Sequence, residues 1–138
     1  MACAMALVPT TASLGQATKT MKIRFTIDGK EFASATLRDN ATARDFLALL
    51  PVTVTLEDYA STEKIAYLPR KLSTEGAPAG SDPSVGDIAY YAPWGNLAMF
   101  YKDAPYARGL LPLGRIDTSI EALRAAGTSK MTIERAPK

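Results

Sequence analysis

Residues 86–103 read GDIAYYAPWGNLAMFYKD. Two short apolar and aromatic runs flank P-W-G-N, in which Pro93 fixes φ and Gly95 tolerates a positive one. The stretch therefore predicts two antiparallel strands joined by a sharp turn. Successive strand residues face opposite ways, so one member of each pair, Tyr90 with Tyr91 and Phe100 with Tyr101, points into a core and the other away from it. The chain's one tryptophan, Trp94, sits in the turn. Two roles are open to it: a clamp that closes the hairpin by cross-strand packing, or part of an aromatic floor beneath a ligand, with Asn96 supplying an orienting amide.

The same period-two signal continues on both sides of the hairpin. KIRFTI puts Ile23, Phe25 and Ile27 on one face, and Asp28-Gly29 follows, the dipeptide suited to a two-residue turn with positive φ at both positions. The return run KEFASATLRD buries Ala33, Ala35 and Leu37, while Phe32 breaks the parity and predicts a bulge. Asn40 is positioned to cap a helix through ATARDFLALL, with Ala43, Phe46, Leu47 and Leu50 on one stripe and Pro51 as its stop. VTVTL and EKIAYLP read as further strands, and LLPLGRI and KMTIER as the last two. Between the last two, Thr118 and Glu121 form a capping box opening a second helix that Gly127 ends. Many short strands with two lone helices predict a mainly β domain, a barrel or sandwich with helices over its ends. The stretch at 69–86, dense in Pro, Gly and Ser, predicts a long loop lying as a flap over one side.

Composition narrows the chemistry. There is no histidine and only one cysteine, Cys3, which excludes Ser-His-Asp and Cys-His nucleophile systems, imidazole–thiolate zinc sites and an internal disulfide. No cofactor or metal is expected; the carboxylates around Tyr59 (Glu57, Asp58, Glu63) match no calcium loop and read as solvated loop charge. A net charge of +2, without a Lys or Arg cluster, argues against nucleic acid or an anionic membrane as partner.

Residues 1–20, MACAMALVPTTASLGQATKT, share none of the alternation and are set apart from a domain spanning 21–138. They read either as the remnant of an export signal lacking its basic start, which places the protein in the periplasm or outside the cell, or as sequence upstream of a true start at Met21, which leaves it cytoplasmic. No other stretch approaches the roughly 20 apolar residues that span a bilayer, so the remainder is expected to be soluble.

The order KI.F.I.G, NATARDFLALLP, VTVTLEDY, EKIAYLPRKLS, DPSVGDIAYYAPWGNLAMFY and LLPLGRID resembles the small bacterial cyclophilin-like proteins, over almost the whole chain after Met21. NATARDFLALLP together with GDIAYY.P.GN is the most specific pair. The resemblance implies a closed antiparallel β-barrel of about eight strands with two short capping helices. It brings no settled activity, since likeness to true prolyl isomerases is one of fold. True cyclophilins hold an X-Pro segment in a groove on the barrel wall, where an arginine polarises the amide. Their motif strings are absent here, and no catalytic residue is carried over.

The candidate ligand-binding residues are Tyr67, Arg70, Tyr91, Trp94, Asn96 and Phe100. Arg70 follows a strand at the mouth of the long loop, a position suited to holding a carboxylate or carbonyl oxygen. Arg115 is expected to pair with Asp117 or Glu121. The leading expectation is a non-covalent binding module for a peptide or small organic ligand in an aromatic-lined cleft. The alternatives are a prolyl cis-trans isomerase with a rearranged site, which needs neither nucleophile nor general base, and a structural domain whose aromatics form a homo-oligomer interface.

Overall fold

The computed structural model describes residues 21–137; the expected leader lies outside the described residues. The chain runs β1 (Met21–Ile27), β2 (Lys30–Leu37), α1 (Ala41–Leu49), β3 (Val52–Tyr59), β4 (Glu63–Tyr67), β5 (Gly80–Ser81), β6 (Asp87–Tyr91), β7 (Asn96–Phe100), β8 (Ala107–Arg108), β9 (Leu110–Ile116), α2 (Ile120–Ala125) and β10 (Ser129–Arg135). Eight strands close an antiparallel barrel in the order β1-β10-β3-β4-β7-β6-β9-β2, and β5 pairs with β8 in a separate two-stranded ribbon. Closure removes every free edge from the main sheet.

Local chemistry explains the joints. Asp28 and Gly29 both take positive φ, 53° and 79°, as a two-residue hairpin turn demands. Beyond that turn Phe25 pairs with Ala33 but Thr26 with Glu31, so Phe32 is the extra residue of a bulge. Asn40 caps α1 by accepting the Ala43 backbone N–H at 2.8 Å. The second helix differs from the capping-box expectation: Ser119, one residue later than Thr118, is its cap and accepts the Glu121 N–H. Thr118 is engaged elsewhere, its hydroxyl accepting the Ser34 N–H across the sheet.

Ile23, Phe25, Leu56, Leu97, Met99, Leu113, Met131 and Ile133 fill the barrel interior, and the helices cap it by adding Phe46 from α1 and Leu123 from α2 to the same cluster. A second, smaller cluster (Ile65, Ala89, Ala98, Phe100 and Leu110) lies on the outer side of the β4-β7-β6-β9 wall. Strand β7 shows why. All five of its residues are buried, so both of its faces are covered, and an unbroken apolar run suits such a strand. What covers the outer face comes from the loops that carry β5 and β8: Ala104 and Ala107 pack on that cluster. Among the described residues no helix is long and apolar enough to cross a membrane.

Candidate functional site

The outer face of this wall and the loops above it enclose a cleft of about 260 Å³. Its floor follows from strand register. Glu63 stands opposite Phe100, and Ile65 opposite Ala98; Tyr91 stands opposite Asn96 and also opposite Leu110. Positions two apart share a face, so Glu63, Ile65, Asn96, Phe100, Tyr91 and Leu110 line it together. Pro83, from the end of the long loop, and Pro105 and Tyr106, from the β7–β8 connection, form the opposite wall.

The hairpin tip supplies the third side. The Gly95 N–H donates to Tyr91 O at 2.9 Å and Gly95 takes φ 73°, so the loop 92–95 turns back within four residues. This places the Trp94 indole edge-on to Tyr91 and to Tyr59, with ring centroids 5.3 and 5.6 Å apart. Offset and edge-on pairs of this kind add about 0.5–1.5 kcal/mol beyond the area they bury. Trp94 nevertheless stays 49 % exposed, so the indole is at once a clamp on the β3–β4 and β6–β7 hairpin ends and a wall of the cleft.

A glycine holds the loops against this tip. Gly109 has φ 86°, and a Cβ there would meet Pro93 at 2.8 Å. Its N–H donates to Ala79 O at 2.7 Å and its carbonyl accepts the Ala92 N–H at 2.9 Å, joining flap, hairpin and β8–β9 turn. The Ser81 hydroxyl adds a bond to Leu110 O at 2.8 Å.

Two polar groups on the cleft floor are left without partners. Asn96 is 1 % exposed. Its Nδ2 donates to Leu97 O at 2.8 Å, which fixes the amide orientation, because the reverse would set oxygen against oxygen. Its Oδ1 then has no hydrogen-bond partner among the described residues. A buried acceptor left unmade costs about 1–3 kcal/mol. Glu63 is half-buried, and burial together with the nearby Asp58 carboxylate pushes it up to about 7.

Asp58, five residues earlier, meets a different fate. It accepts the Tyr101 phenol, the Ser61 N–H at 3.2 Å and the buried Lys64 ammonium at 3.5 Å, and the Tyr101 bond leads in holding it below the usual carboxylate range. Tyr101 is raised in turn by the same bond. Glu57 and Asp58 are both exposed, as solvated charge should be, although Asp58 is also bonded to Tyr101 and Lys64; Glu63, which is half-buried, departs from that reading.

Of the residues expected to bind a ligand, Tyr91, Trp94, Asn96 and Phe100 line this one cleft. Tyr67 stands at the far end of β4, opposite Asn96, and borders a second groove beside β3 with Thr55 and Leu68. Arg70 lies in neither. Its guanidinium makes two parallel bonds to Asp45 of α1, at 2.9 and 3.0 Å, while Asp45 also accepts the Ser73 N–H at 2.7 Å. These bonds hold Asp45 below its ordinary range and fasten the start of the long loop to the helix. Arg115 pairs with Asp87, its cross-strand neighbour on β6, and not with Asp117 or Glu121. Asp117 instead accepts from Lys22 and from the Thr36 hydroxyl. Tyr59, Glu63 and Tyr106 belong to the cleft but were not among the expected ligand residues. Only Glu63 carried a readable signal, a parity that puts it on the same face of β4 as Ile65.

A closed eight-stranded barrel with two capping helices and a covered outer wall defines a cyclophilin-like architecture. Residues 25–134 match the model of the Cyclophilin-like family, and the chain belongs to that family. Among solved structures it is similar to a hypothetical protein from Archaeoglobus fulgidus determined in solution, with a TM-score of 0.65 and 24 % identity over 85 % of this chain and 95 % of that one. That likeness establishes a shared fold. None of the curated proteins matches the chain.

Proposed function

We propose that this domain is a non-covalent binding module that holds a peptide segment or a small organic ligand in the aromatic cleft on its outer wall. The observation that carries this reading is Asn96, a buried amide on the floor of an aromatic-lined cleft with its acceptor unpartnered. A ligand N–H brought to that oxygen supplies the missing bond, while Tyr91, Trp94 and Phe100 supply apolar surface. Few polar groups set in mostly apolar walls is the usual make-up of a small-molecule site.

The polar groups on the floor also favour holding a ligand over twisting a prolyl bond. Isomerisation is helped by a donor aimed at the amide nitrogen, yet Asn96 Oδ1 is an acceptor. One of the two Asn96 amide N–H groups donates to Leu97 O.

The test is a fragment screen read by backbone amide shifts, followed by affinity measurements on Trp94→Ala. Hits are expected to perturb residues 91, 94, 96 and 100. Removing the indole should weaken them by about tenfold, as expected for a lost wall of stacking surface, while the domain stays folded. Hits that keep full affinity in Trp94→Ala would show that the cleft is not the site. A parallel exchange assay on an X-Pro peptide is expected to show no acceleration at micromolar protein.

A further inference from the structure

The lining of the cleft is uneven in charge. Among its described residues Glu63 alone carries a formal charge, and no Lys or Arg joins it. The Glu63 carboxylate has no ion-pair partner among the described residues. The base beside it in sequence, Lys64, sits on the opposite face of β4, 4 % exposed, with its ammonium beside Asp58. The local cation is therefore committed elsewhere, and Glu63 once ionised faces an apolar space with no cation beside it among the described residues.

The surroundings fit a cation in a second way. Tyr59, Tyr91, Trp94 and Tyr106 line the cleft, and the faces of such rings attract positive charge through their quadrupoles. The floor has a long axis as well. Glu63 lies opposite Phe100, four residues from Asn96 along β7, which sets the two acceptors about 13 Å apart at 3.3 Å per residue. The floor between them is apolar, formed by Ile65, Ala98 and Phe100.

We propose that the ligand of this cleft is an organic cation, a primary or quaternary ammonium carried on an apolar body, with its charge at Glu63 and its body against Tyr91, Trp94 and Phe100. The assignment rests on the binding-module reading above and names the chemistry of its ligand. A lysine side chain in a peptide and a free amine share that chemistry.

The electrostatics of the cleft agree. Tyr59 from β3 and Tyr106 from the loop above share the cleft with Glu63, while Asp58 and Tyr101 act on it from the Lys64 side of the sheet, where the Lys64 ammonium lies 3.5 Å from Asp58 and the Arg124 guanidinium of α2 lies 5.3 Å from the Tyr101 ring. Asp58 and burial both resist ionisation of Glu63, so that it titrates at about 7. A bound ammonium reverses that balance. Affinity for a cation should therefore rise as pH rises through about 7, and a neutral ligand should show no such rise.

The experiment compares benzylammonium, benzyltrimethylammonium, benzyl alcohol and the capped tripeptide acetyl-Gly-Lys-Gly-amide. Binding is followed by the fluorescence of Trp94, the only tryptophan, and by amide shifts at 63, 91 and 96. At pH 8 both benzylic cations should bind about tenfold more tightly than benzyl alcohol, and at pH 5 the preference should fall below about threefold. Glu63→Gln should abolish the preference at pH 8. The wild-type pH series stands on its own if that variant is poorly folded. A lysyl peptide tighter than benzylammonium points to a polypeptide ligand and the reverse order to a small amine, and either supports the assignment. Equal binding of benzyl alcohol and the cations at pH 8 would overturn it and leave the cleft as a neutral site. So would a preference that survives at pH 5 or in Glu63→Gln. No binding by any probe at millimolar concentration would remove both the assignment and the binding-module reading.

Discussion

The β4-β7-β6-β9 wall has an inner face and an outer face built from alternate residues of the same strands, and the two are finished differently. Inside, Leu97 and Met99 are wholly buried, and the phenols are matched: Tyr90 accepts the Leu72 N–H at 3.0 Å and Tyr101 donates to Asp58. Outside, Ile65, Ala98 and Phe100 are nearly as buried, yet Asn96 keeps an unpaired acceptor and Glu63 an unpaired charge. Apolar burial alone does not separate the two faces; the satisfaction of polar groups does. A face that only holds the fold together has every polar atom matched, because each unmatched one subtracts from a small net stability. The two unmatched groups lie around one cleft, which is why the binding role is proposed for that face.

The comparison can be broken most forcefully from the inside. Leu97→Ala removes a wholly buried side chain from the barrel core and should destabilise by about 2–5 kcal/mol in denaturant titration. A loss below about 1 kcal/mol would mean that the interior is loosely packed. Next in size, Tyr90→Phe deletes the acceptor of the buried Leu72 N–H and should cost about 1–3 kcal/mol, a loss that a phenol with no structural duty would not show.

The outer face should answer with the opposite sign. Glu63 titrates near 4.5 in the unfolded chain and at about 7 in the folded one, so the folded state holds the proton more tightly. The stability that this proton contributes is complete below about pH 4.5 and is lost as pH rises through about 7. Asp58 runs the other way: its folded value is lowered, so its contribution is complete above its ordinary 3.8 and is lost only as pH falls through that lower value. Allowing for solvent screening at a half-exposed site, Glu63→Gln should be more stable than wild type by roughly 1–2 kcal/mol at pH 8, with no gain at pH 4. Denaturation midpoints at the two pH values measure the difference. A variant that loses stability at pH 8 would show that Glu63 is structurally engaged.

Legibility in the sequence followed the range of the interactions. Alternation in KIRFTI and VTVTL, the Asp28-Gly29 turn, the Asn40 cap and the odd parity of Phe32 are local signals, and each is found in the fold. The hairpin half of the cleft was legible for the same reason: once β6 and β7 pair, parity puts Tyr91, Asn96 and Phe100 on one face. Arg70 was not readable in this way, because Asp45 lies 25 residues earlier, and nothing local announces that a loop will be pinned to that helix. Arg115 likewise found Asp87 through the β6–β9 register, 28 residues away, over the acids close by in sequence. Glu63 looked like loop charge because its burial is produced by the loop at 101–109, whose folded position no nearby residue encodes.

The ribbon of β5 and β8 stands apart from the closed barrel, yet the loops that carry it supply the cleft's opposite wall. Barrel and cleft wall are thus written in different stretches of the chain. Pro83, Pro105 and Tyr106 can drift without disturbing a single pairing of the eight main strands. Loop residues of this kind can vary at little risk to the fold. Two chains that superpose closely over the eight strands can therefore differ at this wall, and the informative comparison between them is the one over residues 77–84 and 101–109.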